Sequence, residues 1–272
     1  MTDGPQLFIL VGNPVAHSLS PLMHNAAFRK MKIDARYSAV RVDTVREALQ
    51  AIRRMHVRGA SITLPYKTSM VEYLDEMSDN VRKIGAVNTV THVHGTLIGE
   101  NTDWTGLVRA LEGSLAIAGS TFAVIGAGGA ARAAVYGILE KSGVPVIVSR
   151  TTRTGEALAD EFGCAFRPLN EIADVEAHCL INTTPVGMSP DNNVSPVSAE
   201  VLPNFAWVMD MIYNPLRTRL LKDAEAAGCG IISGLAMFVS QGAEQLRIWT
   251  GKMPPVEYMM NITTRKLNHE GN

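Results

Sequence analysis

TFAVIGAGGAARAAV, residues 121–135, decides how the rest of the chain is read. An apolar, strand-prone run ends at Gly126. Gly126, Gly128 and Ala131 then fit G-x-G-x-x-A, and an Ala-rich helical stretch follows at once. Strand, tight glycine turn and helix start are the context a dinucleotide fingerprint requires. Gly126 allows the turn, Gly128 lets the backbone approach a pyrophosphate, and the small Ala131 lets helix and strand pack closely. The helix start then presents unpaired N–H groups to phosphate oxygens. Alone the motif is weak, because many strand-turn-helix units carry small residues for packing and methyltransferases share a similar loop.

Working outward, the chain after residue 119 reads β-α-β-α-β. Strands are expected at 121–125, 144–148 and near 179–181 and 207–210, with helices at 130–139 and 155–162. That alternation predicts a parallel sheet with helices on both faces. The preceding stretch is also alternating α/β. Residues 6–11 read as a buried strand, Ser20 as the cap of a helix with Pro21 at its first position, and 37–42 as a strand. Residues 44–55 read as a helix with Val45, Ala48, Leu49 and Ile52 on one face, and 60–64 as a strand ended by Pro65. Residues 87–93 and 96–100 read as a hairpin turning at His94-Gly95. Near Asp103 the pattern changes, and Asp103 reads as the cap of a connecting helix at 104–111. Helical stretches at 234–249 and 255–267 come after the nucleotide sheet is complete, so one of them is expected to pack back on the first lobe.

The expected fold class is therefore two-domain α/β. Residues 1–103, completed by C-terminal helices within 240–272, form an α/β substrate domain. Residues 104–239 form a Rossmann-like, doubly wound dinucleotide-binding domain, with a cleft between the two.

Bulk properties narrow the partners. The chain has 272 residues, 46% hydrophobic and 19% charged, an ordinary soluble composition. A net charge of −1 gives no reason to expect nucleic acid or a membrane surface as partner. No apolar run approaches the roughly 20 residues of a membrane span, and the N-terminal apolar run is too short and lacks the basic flank of a signal peptide. Cys164, Cys179 and Cys229 are odd in number and without metal-like spacing, so no metal is expected; reduced thiols in a cytoplasmic protein are the simple reading.

The choice of cofactor follows from the second strand of the nucleotide unit. NAD-binding units usually place an acid about 20 residues past the glycines, on the ribose 2′-hydroxyl. Here the strand ends in Ser149-Arg150-Thr151, with Arg153 next and no carboxylate. A guanidinium among hydroxyls suits a 2′-phosphate and favours NADP over NAD. The alternative is that Arg150 and Arg153 are solvated surface cations.

The first lobe carries an unusual polar constellation. In GNPVAHSLSPLMHN, residues 12–25, Ser18 and Ser20 flank Leu19 just before a helix. Two hydroxyls and free helix N–H groups there would hold a carboxylate; the alternative is a turn residue and a cap. His17 and His24 have no metal partner and read as structural. GASITLPYK, residues 59–67, puts Lys67 two residues past a strand-ending proline, where it either faces a cleft or sits exposed on a loop. GAVNTV (85–90) and GENTDWTG (99–106) each carry an Asn-Thr pair; Asn88 and Asn101 also suit turns, and Asp103 a cap. Occurring together with the fingerprint, these pieces are harder to explain one at a time.

With them in view, nearly the whole chain resembles the shikimate dehydrogenase family. INTTPVGM (181–188), DMIYNPLRTRLL (210–221) and SGLAMFVSQGAEQLRIWTG (233–251) add to the likeness. The resemblance implies reversible NADPH-dependent reduction of 3-dehydroshikimate to shikimate, on the route to chorismate and the aromatic amino acids. It implies that Ser18 and Ser20 bind the substrate carboxylate with Tyr213 nearby. Thr63, Asn88, Asp103 and Gln241 would bond the ring hydroxyls, and Lys67 and Asp103 would form the catalytic pair. Gly126, Ala127, Gly128, Gly129 and Ala130 would wrap the pyrophosphate. Ser149, Arg150 and Thr151 would meet the adenosine phosphate, and Met211 and Gly234 would lie by the nicotinamide. Lys67 is the candidate proton donor and stabiliser of the developing alkoxide, with Asp103 orienting it.

Two departures stand out. The family commonly has Asn where Ser61 stands, which bears on ring-substituent selectivity, and Lys or Arg where Thr154 stands, which bears on NADP over NAD. A small-molecule substrate is the expected partner, and whether the chain pairs as a homodimer is open. Alternatives are a quinate/shikimate dehydrogenase with relaxed cofactor use, and a non-catalytic metabolite sensor, against which the presence of both Lys67 and Asp103 argues. A methyltransferase leaves Lys67, the paired serines and Arg150 without jobs.

Overall fold

The computed structural model describes residues 4–270. Residues 1–3 and 271–272, which the sequence reading assigns to the first domain, lie outside the described residues. The chain divides into two compact units. One comprises the chain up to Thr102 together with Val239–Lys266, and the other comprises Asp103–Phe238 and the chain from Leu267 onward.

The first unit is built on a mixed six-stranded sheet. Its strands are β1 (Gln6–Gly12), β2 (Ala35–Arg41), β3 (Gly59–Ile62), β4 (Glu76–Met77), β5 (Thr89–Val93) and β6 (Thr96–Glu100), in the order β2-β1-β3-β5-β6-β4. β1 pairs in parallel with both β2 and β3, so its apolar run Phe8–Val11 is buried on both faces. β5 and β6 form the expected hairpin. His94 (φ 51°) and Gly95 (φ 88°) both take left-handed angles, as a two-residue hairpin turn demands. The helices are α1 (Ser20–Lys30), α2 (Val45–Arg54) and α3 (Asp79–Ile84). Thr44 caps α2 by accepting from the Glu47 N–H, and Glu47 reaches back to the Asp43 N–H.

One expectation is corrected at α1. Ser20 is the first helical residue and Leu19 the flanking one, with no side-chain cap. It is Ser18 whose hydroxyl accepts the Ser20 N–H, at 3.2 Å.

The C-terminal part of α8 (Gly234–Thr250) belongs to this unit, from Val239 on. Its Trp249 Nε1 donates to the Val90 carbonyl and its ring packs on Phe8, Tyr37 and His24. A Cβ at Gly59 would stand 2.5 Å from that indole nitrogen, so β3 admits the helix only because a glycine faces it. Gly242 plays the same part against Met23 of α1. The last helix, α9 (Val256–Glu270), follows.

The second unit holds β7 (Thr121–Ile125), β8 (Val144–Ser149), β9 (Ala165–Pro168), β10 (Cys179–Asn182), β11 (Trp207–Asp210) and β12 (Gly230–Ser233). All pair in parallel, in the order β12-β11-β10-β7-β8-β9. Helices α4 (Asp103–Glu112), α5 (Gly129–Glu140), α6 (Thr152–Phe162) and α7 (Arg219–Ala226) belong to it. Asp103, expected just outside its helix, is the first residue of α4. Two apolar clusters, one around Phe122, Val124 and Ile181 and one around Ile125, Leu180 and Val208, make the two buried faces that a doubly wound sheet needs.

Among the described residues no helix is long and apolar enough to cross a membrane. The cysteines are free thiols, and burial pushes the Cys164 thiol up to about 11 and that of Cys179 up further, so both stay protonated at neutral pH.

Candidate functional site

The strand order of the second unit runs outward in two directions from the β7–β10 pair. Such a reversal leaves a crevice at the carboxyl ends of those strands, and ligands of open α/β sheets bind there. Gly126 follows β7 directly. Its φ of 120° is open to glycine, and a Cβ would lie 2.5 Å from the Thr183 hydroxyl, just past β10. Gly128 differs in kind. It flanks α5, and a Cβ built on it would meet nothing within 4 Å. Its lack of a side chain is therefore no packing requirement; it leaves the approach to the helix start open. The first turn of α5 has no acidic residue and its flanking Gly128 gives no side-chain cap, so its N–H groups face outward uncovered. Ala127, Gly129 and Ala130 complete this turn, and Ala131 is fully buried behind it, which is the close helix–strand packing the fingerprint predicts. The cradle fits a dinucleotide pyrophosphate.

At the end of β8 the Ser149 hydroxyl is buried and donates to the Thr151 carbonyl at 2.8 Å. It shapes the turn and retains only acceptor capacity toward a ligand. Arg150, Thr151 and Arg153 are exposed, and the first turn of α6 carries no acid. Thr154, where the family commonly has a cation, turns its hydroxyl onto the Thr151 carbonyl.

The ends of β10 and β11 are tied by a network that sequence reasoning missed. Asp210 is fully buried and accepts from Asn182 Nδ2 (3.1 Å), the Ile212 N–H (3.0 Å) and the Thr218 hydroxyl (2.7 Å). Burial raises its carboxyl to about 6 despite these three donors. The loop they anchor carries Met211, over whose carbonyl Gly234 packs so closely that a Cβ would sit 2.3 Å away. It also carries Tyr213, stacked on Phe238 at 3.9 Å. An acid at a strand end inside DMIYNP was the available signal.

The first unit carries Ser18, Ser20, Thr63, Lys67, Asn88 and Gln241. Ser18 donates to Ser20 Oγ at 3.2 Å. Thr63 and Lys67 lie on the loop past β3, where the Thr63 carbonyl accepts from the Tyr66 N–H and the Lys67 carbonyl from the Val87 N–H. The second contact brings the loop against the GAVNT segment. Asn88 is buried; its Oδ1 accepts from the Thr89 hydroxyl and the Thr102 N–H, both at 2.8 Å, and its amide nitrogen donates to the Thr102 hydroxyl at 3.0 Å and lies 3.4 Å from Gln241 Oε1. Asp103, also buried, falls at the start of the second unit.

His24 is structural, as its lack of metal partners suggests. Its ring is buried, stacked on Tyr37 at 4.3 Å, and Nδ1 lies 2.9 Å from the Ser20 carbonyl, which can only accept. The neutral Nδ1–H tautomer follows, with Nε2 lacking any partner in hydrogen-bonding geometry. Burial lowers its pKa to about 4, an effect that the nearby Ser20 and Gly242 backbone and Gln245 side chain only temper.

Strand order, glycine turn and switch-point crevice define a dinucleotide-binding α/β protein with a second, separate α/β unit. Comparison with known proteins gives the family. Residues 10–90 match the model of the shikimate dehydrogenase substrate binding domain, and residues 234–262 that of the shikimate 5'-dehydrogenase C-terminal domain. A shikimate dehydrogenase (NADP(+)) of Pyrococcus abyssi is 40% identical over 96% of this chain and 98% of its own. A shikimate 5-dehydrogenase of Thermus thermophilus, solved in complex with NADP(H) and shikimate, superposes with a TM-score of 0.87 at 38% identity, covering 96% of this chain and 99% of that one. A shikimate dehydrogenase solved with NADP+ gives a TM-score of 0.89 at 37% identity over 97% and 96%. The chain belongs to the shikimate dehydrogenase family.

Proposed function

We propose that this protein is an NADP-dependent oxidoreductase that interconverts 3-dehydroshikimate and shikimate in aromatic amino-acid biosynthesis. The observation that carries this is a family likeness spanning both units, with an open Gly128 cradle in one and the serine, lysine and asparagine set in the other. A cytoplasmic location fits the composition.

Bound in its reduced form, the cofactor supplies hydride to the substrate's ketone carbon. The chain's own residues do the rest. Backbone N–H groups from Gly126 to Ala130 would hold the pyrophosphate, Arg150 and Thr151 would meet the 2′-phosphate, with Ser149 holding their turn, and Met211 and Gly234 would lie by the nicotinamide. Ser18, Ser20 and Tyr213 hold the carboxylate. Thr63, Asn88, Asp103 and Gln241 hold the ring hydroxyls, which orients the ketone. Negative charge gathers on the carbonyl oxygen as hydride arrives, and the Lys67 ammonium stabilises it and delivers the proton, with Asp103 as its carboxylate partner.

The test follows NADPH absorbance with 3-dehydroshikimate, then runs shikimate and quinate with NADP+ and NAD+ in turn. The pair shikimate and NADP+ should give the highest kcat/KM. Equal rates with quinate or NAD+ would move the assignment to a broad quinate/shikimate enzyme, and no turnover at all would leave a metabolite sensor.

A further inference from the structure

Gln245 lies one helical turn beyond Gln241 on α8 and is 1% exposed. Its hydrogen bonds have a single consistent direction. The Asn88 carbonyl oxygen, 3.1 Å away, can only accept, so the atom facing it is the amide nitrogen of Gln245. The other amide hydrogen goes to the Thr89 hydroxyl at 3.0 Å. Having accepted there, Thr89 turns its own proton to Asn88 Oδ1 at 2.8 Å. On the far side, Gln245 Oε1 accepts from Ser61 at 2.8 Å, and Ser61, its one proton spent, accepts from the Tyr37 hydroxyl at 2.6 Å. Tyr37, Ser61, Thr89 and Asn88 are each at most 5% exposed. Reversal of the Gln245 carboxamide would set its oxygen against the Asn88 carbonyl oxygen, two acceptors facing each other, which costs more than the bond contributes.

We propose that Gln245 is a positioning residue: acting through Thr89, it holds the Asn88 carboxamide with its oxygen inward, one NH2 hydrogen on the Thr102 hydroxyl at 3.0 Å and the other on the Gln241 side, where the substrate hydroxyls would bind. The Thr102 N–H gives Asn88 Oδ1 a second inward donor; Gln245 and Thr89 supply the bond that stops the Thr89 hydroxyl from competing. Ser61, the position where relatives commonly carry asparagine, then influences ring-hydroxyl selectivity through Gln245 rather than by contact with the ring. The inference rests on the assignment of Asn88 to the substrate hydroxyls.

The experiment measures shikimate and NADP+ kinetics for Thr89→Val, Thr89→Ser, Gln245→Met, Asn88→Ala and the double variant Thr89→Val with Asn88→Ala. Thr89→Val and Gln245→Met should each raise the shikimate KM about tenfold, the weight of one hydrogen bond. The NADP+ KM should stay within about twofold, and Thr89→Ser should restore the wild-type values. Added to Asn88→Ala, Thr89→Val should do nothing further, because the group it orients is gone. An unchanged shikimate KM in Thr89→Val, additive losses in the double variant, or parallel rises in both KM values would overturn the coupling. An unchanged shikimate KM in Asn88→Ala would instead overturn the assignment of Asn88 itself. If Gln245→Met does not fold, the Thr89 variants decide.

Discussion

The two units prepare for their ligands by different means. In the second, the cradle after β7 is almost all backbone: its useful properties are a left-handed glycine, an open Cβ position and a helix start without a side-chain cap. In the first, the candidate ligand-facing groups are side chains, and one of them, Asn88, is held by a chain of side chains behind it, through Thr89 and Gln245 out to Ser61 and Tyr37. A pyrophosphate is matched by any correctly curved run of N–H groups. A ring with several hydroxyls and one ketone demands donors and acceptors in a set order, which only a supported side-chain network can supply.

The largest effect expected on that contrast is chemical. Lys67→Ala should lower kcat about a thousandfold while the shikimate KM rises less than about fivefold, since proton transfer and alkoxide stabilisation act mainly in the transition state. Steady-state NADPH formation from shikimate and NADP+ measures both, and near-normal turnover would remove Lys67 from the mechanism.

Next comes a difference in acid response, because burial shifts a histidine in the first unit and a carboxyl group in the second, in opposite directions. His24 in the first unit has its pKa lowered to about 4. Between pH 4 and 6.5 the unfolded chain binds more protons there, so stability falls as pH drops through that window, by roughly 3 kcal/mol in all. Asp210 in the second unit has its pKa raised to about 6. Between about pH 4 and 6 the folded form binds more protons there, so its share of stability is full below that window and is lost as pH rises through 6, also roughly 3 kcal/mol. Hydrogen exchange at pH 6.5 and 4.5 should show protection falling around α1 and β2 but not around β10 and β11. Asp210→Asn should raise stability above pH 6 and lose that gain below pH 4; a pH-independent change would refute the assignment.

The glycine cradle can be split by two substitutions. Gly126→Ala should destabilise by about 2 kcal/mol or more, from the φ of 120° and the Thr183 contact. Gly128→Ala should leave stability within about 0.5 kcal/mol yet weaken NADP binding about tenfold, because its methyl group would stand where the pyrophosphate approaches. Thermal melts with and without NADP+ separate the two, and an unweakened Gly128→Ala would show the open position to be incidental.

The smallest effect concerns the cofactor's far end. Arg150→Ala should raise the NADP+ KM about tenfold, the loss of one charge-assisted contact, and leave that for NAD+ within about twofold. Equal changes would refute the 2′-phosphate contact.

What could be read in advance follows the range of the interactions. The glycine fingerprint, the His94-Gly95 turn and the face of α2 are local patterns, and they appear where expected. β4, β9, β12, α3 and α7 are not among the expected elements. β4 is two residues long beside an Asp75 carboxylate that accepts the Leu97 N–H, and AFRP has no strand pattern of its own. Ser20 is not a cap because the helix starts one residue earlier than its side chain would need, with Ser20 inside the first turn and its N–H on the Ser18 hydroxyl.

By itself the sequence determined the α/β class, the dinucleotide turn and the identities of the polar groups, because spacing within a few residues sets strand, turn and helix. The tertiary structure decided which way those groups point. The Asn88 carboxamide is oriented by bonds to Thr89 and Thr102, and through Thr89 by Gln245, which lies 156 residues along the chain from Thr89. The pKa of Asp210 is set by burial. Hydrogen-bond polarity and desolvation depend on neighbours in space, and those exist only once the sheets have formed and α8 has packed against β3 and β5 of its own unit.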